Sequence, residues 1–169
     1  MVEQRYPRYS WGATLIIVAG QRDVVAAWVC ARVRDMAPIS TTEFEAIGFA
    51  SADGTLIGGA VYTSYYRLAD GTCDITLTGA GNRGWLSRTT LRVIFGYPFG
   101  QLNCSRVTAI TSKPNRRSRD LLERLGFRHE GTIRGAFGRG RDGLLYGLLR
   151  EEYKFSGEFN GKKIWAESS

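Results

Sequence analysis

The feature that most narrows the folds open to this chain is residues 115–134, Asn-Arg-Arg-Ser-Arg-Asp-Leu-Leu-Glu-Arg-Leu-Gly-Phe-Arg-His-Glu-Gly-Thr-Ile-Arg. It reads as a helix, a stop and a strand that re-enters a core. Asn115 follows Lys113-Pro114 and has the side-chain oxygen that caps helix N–H groups, while Gly126 suits the left-handed residue that ends helices. Between them Leu121, Leu122 and Leu125 recur at helical spacing and mark an inward face. Arg116, Arg117, Arg119, Asp120, Glu123 and Arg124 can point outward, with Arg116/Asp120, Arg119/Glu123 and Asp120/Arg124 spaced for surface pairs. Asn115 and Ser118 are then left facing a groove. The alternative is a capped surface helix with a back-bonded serine.

Around this unit the chain alternates between sheet and helix patterns. Residues 14–19 read as a first strand, and Asp23 as the cap of a helix whose inward positions Val25, Trp28, Val29, Val33 and Met36 end before Pro38. Residues 38–42 read as a loop or a short helix. Residues 45–52 and 55–66, separated by Asp53-Gly54, form a hairpin pattern. Residues 73–78 continue as a strand, 86–95 as a helix and 106–112 as the strand before the opening unit. After that unit, two alternating strands flank a glycine-rich connection, Arg134-Gly-Ala-Phe-Gly-Arg-Gly-Arg-Asp-Gly143.

The order Asn115-x-x-Ser118, Leu121-Leu122, Leu125-Gly126-Phe127, Glu130-Gly131-x-x-Arg134 and Asp142-x-x-x-Tyr146-x-Leu148, ahead of Glu151-Glu152, resembles the C-terminal half of GNAT-superfamily acyl-CoA-dependent N-acetyltransferases. It is most similar to the branch that acetylates ribosomal-protein N-termini, and short arginine-rich forms of this kind resemble those encoded by bacteriophages. The resemblance is dense from Arg106 to Tyr153 and thin elsewhere. It implies an α/β (α+β) fold in one domain spanning residues 1–169, with a core of about 10–153 and an extension over 154–169. The expected centre is a mixed, mostly antiparallel sheet of six to seven strands, with a splayed parallel pair and flanking helices.

The resemblance also implies a direct transfer of an acetyl group from acetyl-CoA to an amine, with coenzyme A held along the fourth strand. Its pantetheine arm and the developing oxyanion would meet the backbone of Leu77 and Thr78. Residues 78–88 stand where the family places its pyrophosphate loop, which makes Gly79, Arg83, Gly84, Ser87 and Arg88 candidate cofactor contacts. Elementary physics supports an anion there, because glycines free backbone N–H groups to turn and the following helix adds its positive end. The usual Arg/Gln-x-x-Gly-x-Gly/Ala pattern is matched poorly, with Leu86 and Arg88 where small residues are expected. The same glycines also spell a dinucleotide-type spacing that lacks a Rossmann context, or form a simple turn.

Asn115, Ser118 and Arg119 complete the cofactor side. Many relatives place a proton-donating tyrosine at the position of Leu122, so Ser118 becomes the candidate hydrogen-bond partner of the departing thiolate. Asp74 is the candidate base, with Glu130 the next carboxylate and His129 the only histidine. A weak base fits an α-amine, whose unperturbed pKa is about 7.7–8.0, better than a lysine at about 10.4.

Composition bounds the partners. The 169 residues carry a formal charge of +7, mostly from arginine, and 43% of them are hydrophobic. Such a balance suits a folded chain with an anionic partner, which coenzyme A would satisfy and nucleic acid would also satisfy. The Arg-Gly connection with Phe137 is the feature that a single-stranded nucleic acid would use, against which it otherwise favours an acidic acceptor surface. Acceptor choice in the family lies with that connection and with residues 36–44. A third reading is a GNAT-fold protein that works by binding a partner, a host protein in the bacteriophage case. No apolar run is long enough to span a bilayer and the start has no signal core, which points to the cytoplasm. Cys30, Cys73 and Cys104 are odd in number and widely spaced, so they are read as buried or incidental thiols rather than a disulfide or zinc set. Phe155, Phe159, Ile164 and Trp165 give the C-terminal extension an aromatic character that would pack back on the domain or anchor a partner.

Overall fold

The computed structural model describes residues 15–34, 36, 39 and 42–154. In chain order these form β1 (Ile16–Val18), α1 (Arg22–Cys30), β2 (Glu45–Ala50), β3 (Leu56–Arg67), β4 (Cys73–Gly81), α2 (Arg88–Phe95), β5 (Arg106–Ser112), α3 (Arg116–Leu125), β6 (Arg128–Ile133) and β7 (Gly143–Leu149). The strands make one sheet in the order β1-β2-β3-β4-β5-β7-β6. Every neighbouring pair is antiparallel except β4 and β5, which run parallel. The mixed, mostly antiparallel sheet of six to seven strands that the resemblance implies is therefore present, with seven strands.

Alternation along the strands sorts side chains onto two faces. One face carries Ile47, Phe49, Tyr62, Ile75, Val107, Ala109, Tyr146 and Leu148, covered by Leu91, Ile94 and Phe95 of α2 and flanked by Leu122 and Leu125 of α3. On the other face Ala46 and Val61 pack under Val25, Ala26 and Val29 of α1. That contact is close because Gly48 and Gly59 leave room. A Cβ at either would stand 2.8 Å from a methyl of Val25 or Val29.

Three local expectations change. α1 is shorter than its apolar spacing suggests: Gln21 stands at its cap position without a side-chain bond, Asp23 lies in the first turn, and the helix ends at Cys30. There the Arg32 N–H reaches the Val29 carbonyl, a tightened last turn that leaves Val33 and Met36 beyond the helix. In the β2–β3 hairpin the strands stop at Ala50 and resume at Leu56, so the turn is wider than the Asp-Gly pair. It is held by Asp53, which accepts from the Thr55 N–H and the Ser51 hydroxyl. Beyond α2 the chain adds a π-helical turn, Gly96–Gln101, whose Phe99 lies in the core.

The cysteine reading is also corrected. Cys73 and Cys104 are bonded, with Cα atoms 4.3 Å apart, while Cys30 is a buried free thiol. The parallel pairing of β4 and β5 brings together the starts of two strands 31 residues apart in sequence, which no spacing rule could reveal. The N-terminal residues 1–14, residues 37, 38, 40 and 41 of the 36–44 loop and the aromatic extension from Phe155 lie outside the described residues. Among the described residues no helix is long and apolar enough to cross a membrane, and no group of three or more metal-ligating side chains occurs.

Candidate active site

β4 and β5 share only three register pairs, Asp74↔Arg106, Ile75↔Val107 and Thr76↔Thr108. Past Thr76, β4 continues with β3 as far as Gly81, and β5 continues with β7 as far as Ser112. The two strands therefore diverge into a wedge, and from Leu77 onward the β5-facing edge of β4 has no strand partner among the described residues. Backbone donors and acceptors in the middle of a sheet are otherwise paired, so this edge is open to a ligand.

The far end of β4 seats a tryptophan. Gly58 and Gly81 are register partners, and a Cβ on either would lie 2.2–2.3 Å from the Trp85 ring. Trp85 thus lies on a flat glycine seat, beside Phe49 at a centroid distance of 5.9 Å. This corrects the reading of Gly79 and Gly81 as the start of a loop. Both are strand residues, and the absent side chains at Gly58 and Gly81 admit an indole. Gly84, with φ +84°, is the glycine that turns the short connection to α2.

Two helix N-termini open at the same end of the sheet. α2 begins with a capping box in which Ser87 Oγ accepts from the Thr90 N–H and Thr90 Oγ1 accepts from the Ser87 N–H. The box leaves the N–H groups of Arg88 and Thr89 at the helix end. α3 is capped as the sequence predicts: Asn115 Oδ1 accepts from the Ser118 N–H at 3.1 Å, and Gly126 closes the helix at φ +99°. Asn115 is therefore a cap first. The hydroxyl of Ser118 is half-buried and makes no hydrogen bond among the described residues, so it is not back-bonded. Arg83 and Arg88 are exposed beside α2, and Arg116 and Arg117 beside α3. Both dipoles and these guanidinium groups favour an anion at this end.

Arg119 behaves differently from its neighbours. Its NH1 donates to the Lys113 carbonyl at 3.0 Å, and its buried Nε has no partner. The expected surface pairs on α3 do not form, because Glu123 accepts from Tyr146 Oη and Arg124 donates to the Asp120 carbonyl. Tyr146 thereby ties α3 to β7, and burial together with the Glu123 carboxylate raises its pKa. Leu122 packs against the core.

Asp74 lies at the closed end, largely buried. Its carboxylate accepts from Tyr66 Oη at 3.0 Å and from Thr108 Oγ1 at 3.0 and 3.1 Å, and Arg106 Nε stands 3.4 Å away. Arg106 in turn forks onto both oxygens of Glu130, which its hydrogen bonds hold below the usual carboxylate range. This network escaped the sequence reading because its members come from four strands.

No family model matches the sequence. Among solved structures, the chain is similar to ribosomal-protein-S5-alanine acetyltransferase from Vibrio fischeri, at 14% identity and TM-score 0.64, over 88% of this chain and 100% of that one. It is also similar to spermidine N-acetyltransferase from Vibrio cholerae in complex with CoA and spermine, at 16% identity and TM-score 0.63, over 82% and 97%. A chimera of the latter enzyme aligns at 18% identity and TM-score 0.63, over 82% and 98%. With its diverging parallel pair, helix order and seven-stranded sheet, the chain has the fold of the GNAT acetyltransferases.

Proposed function

We propose that this protein is an N-acetyltransferase that moves an acetyl group directly from acetyl-CoA to a primary amine of a protein or small molecule. The observation that carries the reading is the β4–β5 wedge, an unpaired strand edge between two helix N-termini flanked by exposed arginines. The residues present fit coenzyme A: an open backbone edge suits an amide-bearing arm, and Arg83, Arg88 and the start of α2 suit a pyrophosphate. Gly79 and Gly84 shape this stretch, Ser87 fixes the helix start through its box, and Asn115 with Arg119 orders the start of α3.

When bound, acetyl-CoA would supply the acetyl group as a thioester and leave as the coenzyme A thiol. The chain's own contributions follow from position. Successive N–H groups of a strand point to opposite edges, so of Leu77 and Thr78, at the point where β4 loses β5, one turns its N–H to the open edge, and we assign that group to meet negative charge on a carbonyl oxygen. Ser118 Oγ, free of other partners, is the group we assign to hold a proton near the sulfur. Asp74 is a poor base in this arrangement, since both its oxygens are engaged at the closed end. An amine that is partly neutral at physiological pH needs no such base.

A second reading, a GNAT-fold protein acting by binding a partner, is favoured by Leu122, which packs half-buried against the core where an acid would often stand. The finer assignments, to the ribosomal-protein N-terminal branch and to a bacteriophage protein with a host target, belong to the sequence resemblance alone. The test is a raised melting temperature with CoA, followed by thiol release from acetyl-CoA with a panel of amines. For Ser118→Ala we expect turnover to fall by about tenfold to a hundredfold with CoA affinity retained. Unchanged turnover removes the serine from the mechanism, and CoA binding without turnover on any amine selects the second reading.

A further inference from the structure

The open edge of β4 has two unlike faces. Alternation places Ile75, Leu77, Gly79 and Gly81 toward α2, and Asp74, Thr76 and Thr78 on the other side. The α2-facing row is apolar but bare where β5 has left, since Gly79 and Gly81 have no side chains to cover it. Trp85 supplies that cover. A Cβ at Gly81 would overlap its five-membered ring, whereas the six-membered ring reaches back to within 3.5 Å of a Cβ at Gly79. The indole therefore lies lengthwise along β4, with its six-membered end directed at Leu77. Gly79 is nonetheless exposed, although it sits inside a strand, so the space beside that end is open. Leu77, Trp85 and Leu122 of α3 all pack half-buried against one core, to which Ala109 of β5 belongs.

Trp85 is held in place. Its N–H donates to the Asn82 carbonyl at 3.2 Å, its carbonyl accepts from Thr90 Oγ1 at 3.0 Å, and Phe49 stands beside the ring. Against a fixed wall a short apolar group fits and a longer one overlaps, because close-packed side chains have little slack to give. A thioester would bring two parts to this edge, a carbonyl and an alkyl tail. The carbonyl suits the backbone N–H assigned above. An alkyl tail over Thr76 and Thr78 would strip water from their hydroxyls, so it is favoured on the apolar side, against the six-membered ring of Trp85.

We propose that Trp85 sets the length of the acyl group, admitting acetyl and propionyl and excluding butyryl and longer chains. This rests on the acetyltransferase reading and deepens it. The experiment measures, by calorimetry, the binding of acetyl-, propionyl-, butyryl- and hexanoyl-CoA to the wild-type chain, Trp85→Phe and Trp85→Ala, each first shown to be folded by its melting transition. Wild-type affinity is expected to fall about tenfold or more between propionyl- and butyryl-CoA. In Trp85→Ala the ratio of the two should fall toward one. In Trp85→Phe, which keeps a smaller ring on the seat and serves if the alanine variant does not fold, the step should move to the longer chain. Equal weakening of all four thioesters with the ratio unchanged, as a merely structural tryptophan would give, overturns the proposal. So does a wild-type chain that binds hexanoyl-CoA as well as acetyl-CoA. Binding is read without an amine, so a length dependence set by Trp85 in a chain that acetylates nothing breaks the acetyltransferase reading and not this one, whereas binding of none of the four overturns both.

Discussion

The two ends of the β4–β5 pair are built from the same strands and do opposite things. At the closed end the Cys73–Cys104 bond, three register pairs and the Asp74 network join the strands through covalent, backbone and side-chain links. At the open end Trp85 on its glycine seat holds β4 against β3, Tyr146 and Glu123 hold α3 against β7, and nothing among the described residues bridges the gap. The difference teaches that polar side chains in one sheet need not share a role. Asp74 is held by Tyr66, Thr108 and Arg106, whereas the Ser118 hydroxyl makes no hydrogen bond among the described residues, so we assign the first to stability and propose the second for chemistry.

Asp74→Ala is the strongest way to break this division. It strands the Thr108 hydroxyl and half of the Arg106 pairing, and we expect a loss of about 2–4 kcal/mol in urea unfolding with CoA affinity unmoved. A protein that keeps its stability and loses turnover instead would restore Asp74 as the base. Gly81→Ala tests the open end, where the added methyl collides with the indole of Trp85. The expected cost is about 1–3 kcal/mol, the range for overpacking a filled site, together with weaker CoA binding as the end of β4 shifts. Wild-type behaviour in both assays would mean that the glycine seat does not set the wedge.

The smallest effect concerns the rim of the closed end. Hydrogen bonds from Arg106 lower the Glu130 pKa from 4.5, so the pair adds stability above the unfolded value and loses it as pH falls through the folded one. The Glu130 side chain is 35% exposed, and solvent screening keeps the contribution below about 1 kcal/mol. Glu130→Gln should therefore lower neutral stability slightly and flatten the acid limb of the unfolding curve below about pH 4.5. An unaltered acid limb would show that the fork onto Glu130 contributes nothing in solution.

Local signals carried much of this molecule. The helix of residues 116–125, its asparagine cap and its glycine stop were legible because capping and apolar spacing act within one turn, and β5 was bounded correctly by its own alternation. The glycines at 79 and 81 misled for a physical reason: a missing side chain looks the same whether it frees a loop or admits a tryptophan from four residues further on. The shortened α1 is a second case, since its apolar spacing continues past the point where the backbone tightens.

By itself the sequence determined the order of elements, the inward faces and the basic, arginine-rich surface, because each depends on neighbours along the chain. Only the tertiary structure decided that Cys73 meets Cys104, that Asp74 is enclosed by Tyr66, Thr108 and Arg106, and that β4 and β5 part after three pairs. Those facts depend on which strands lie side by side, and a parallel crossover brings together residues that no periodicity links.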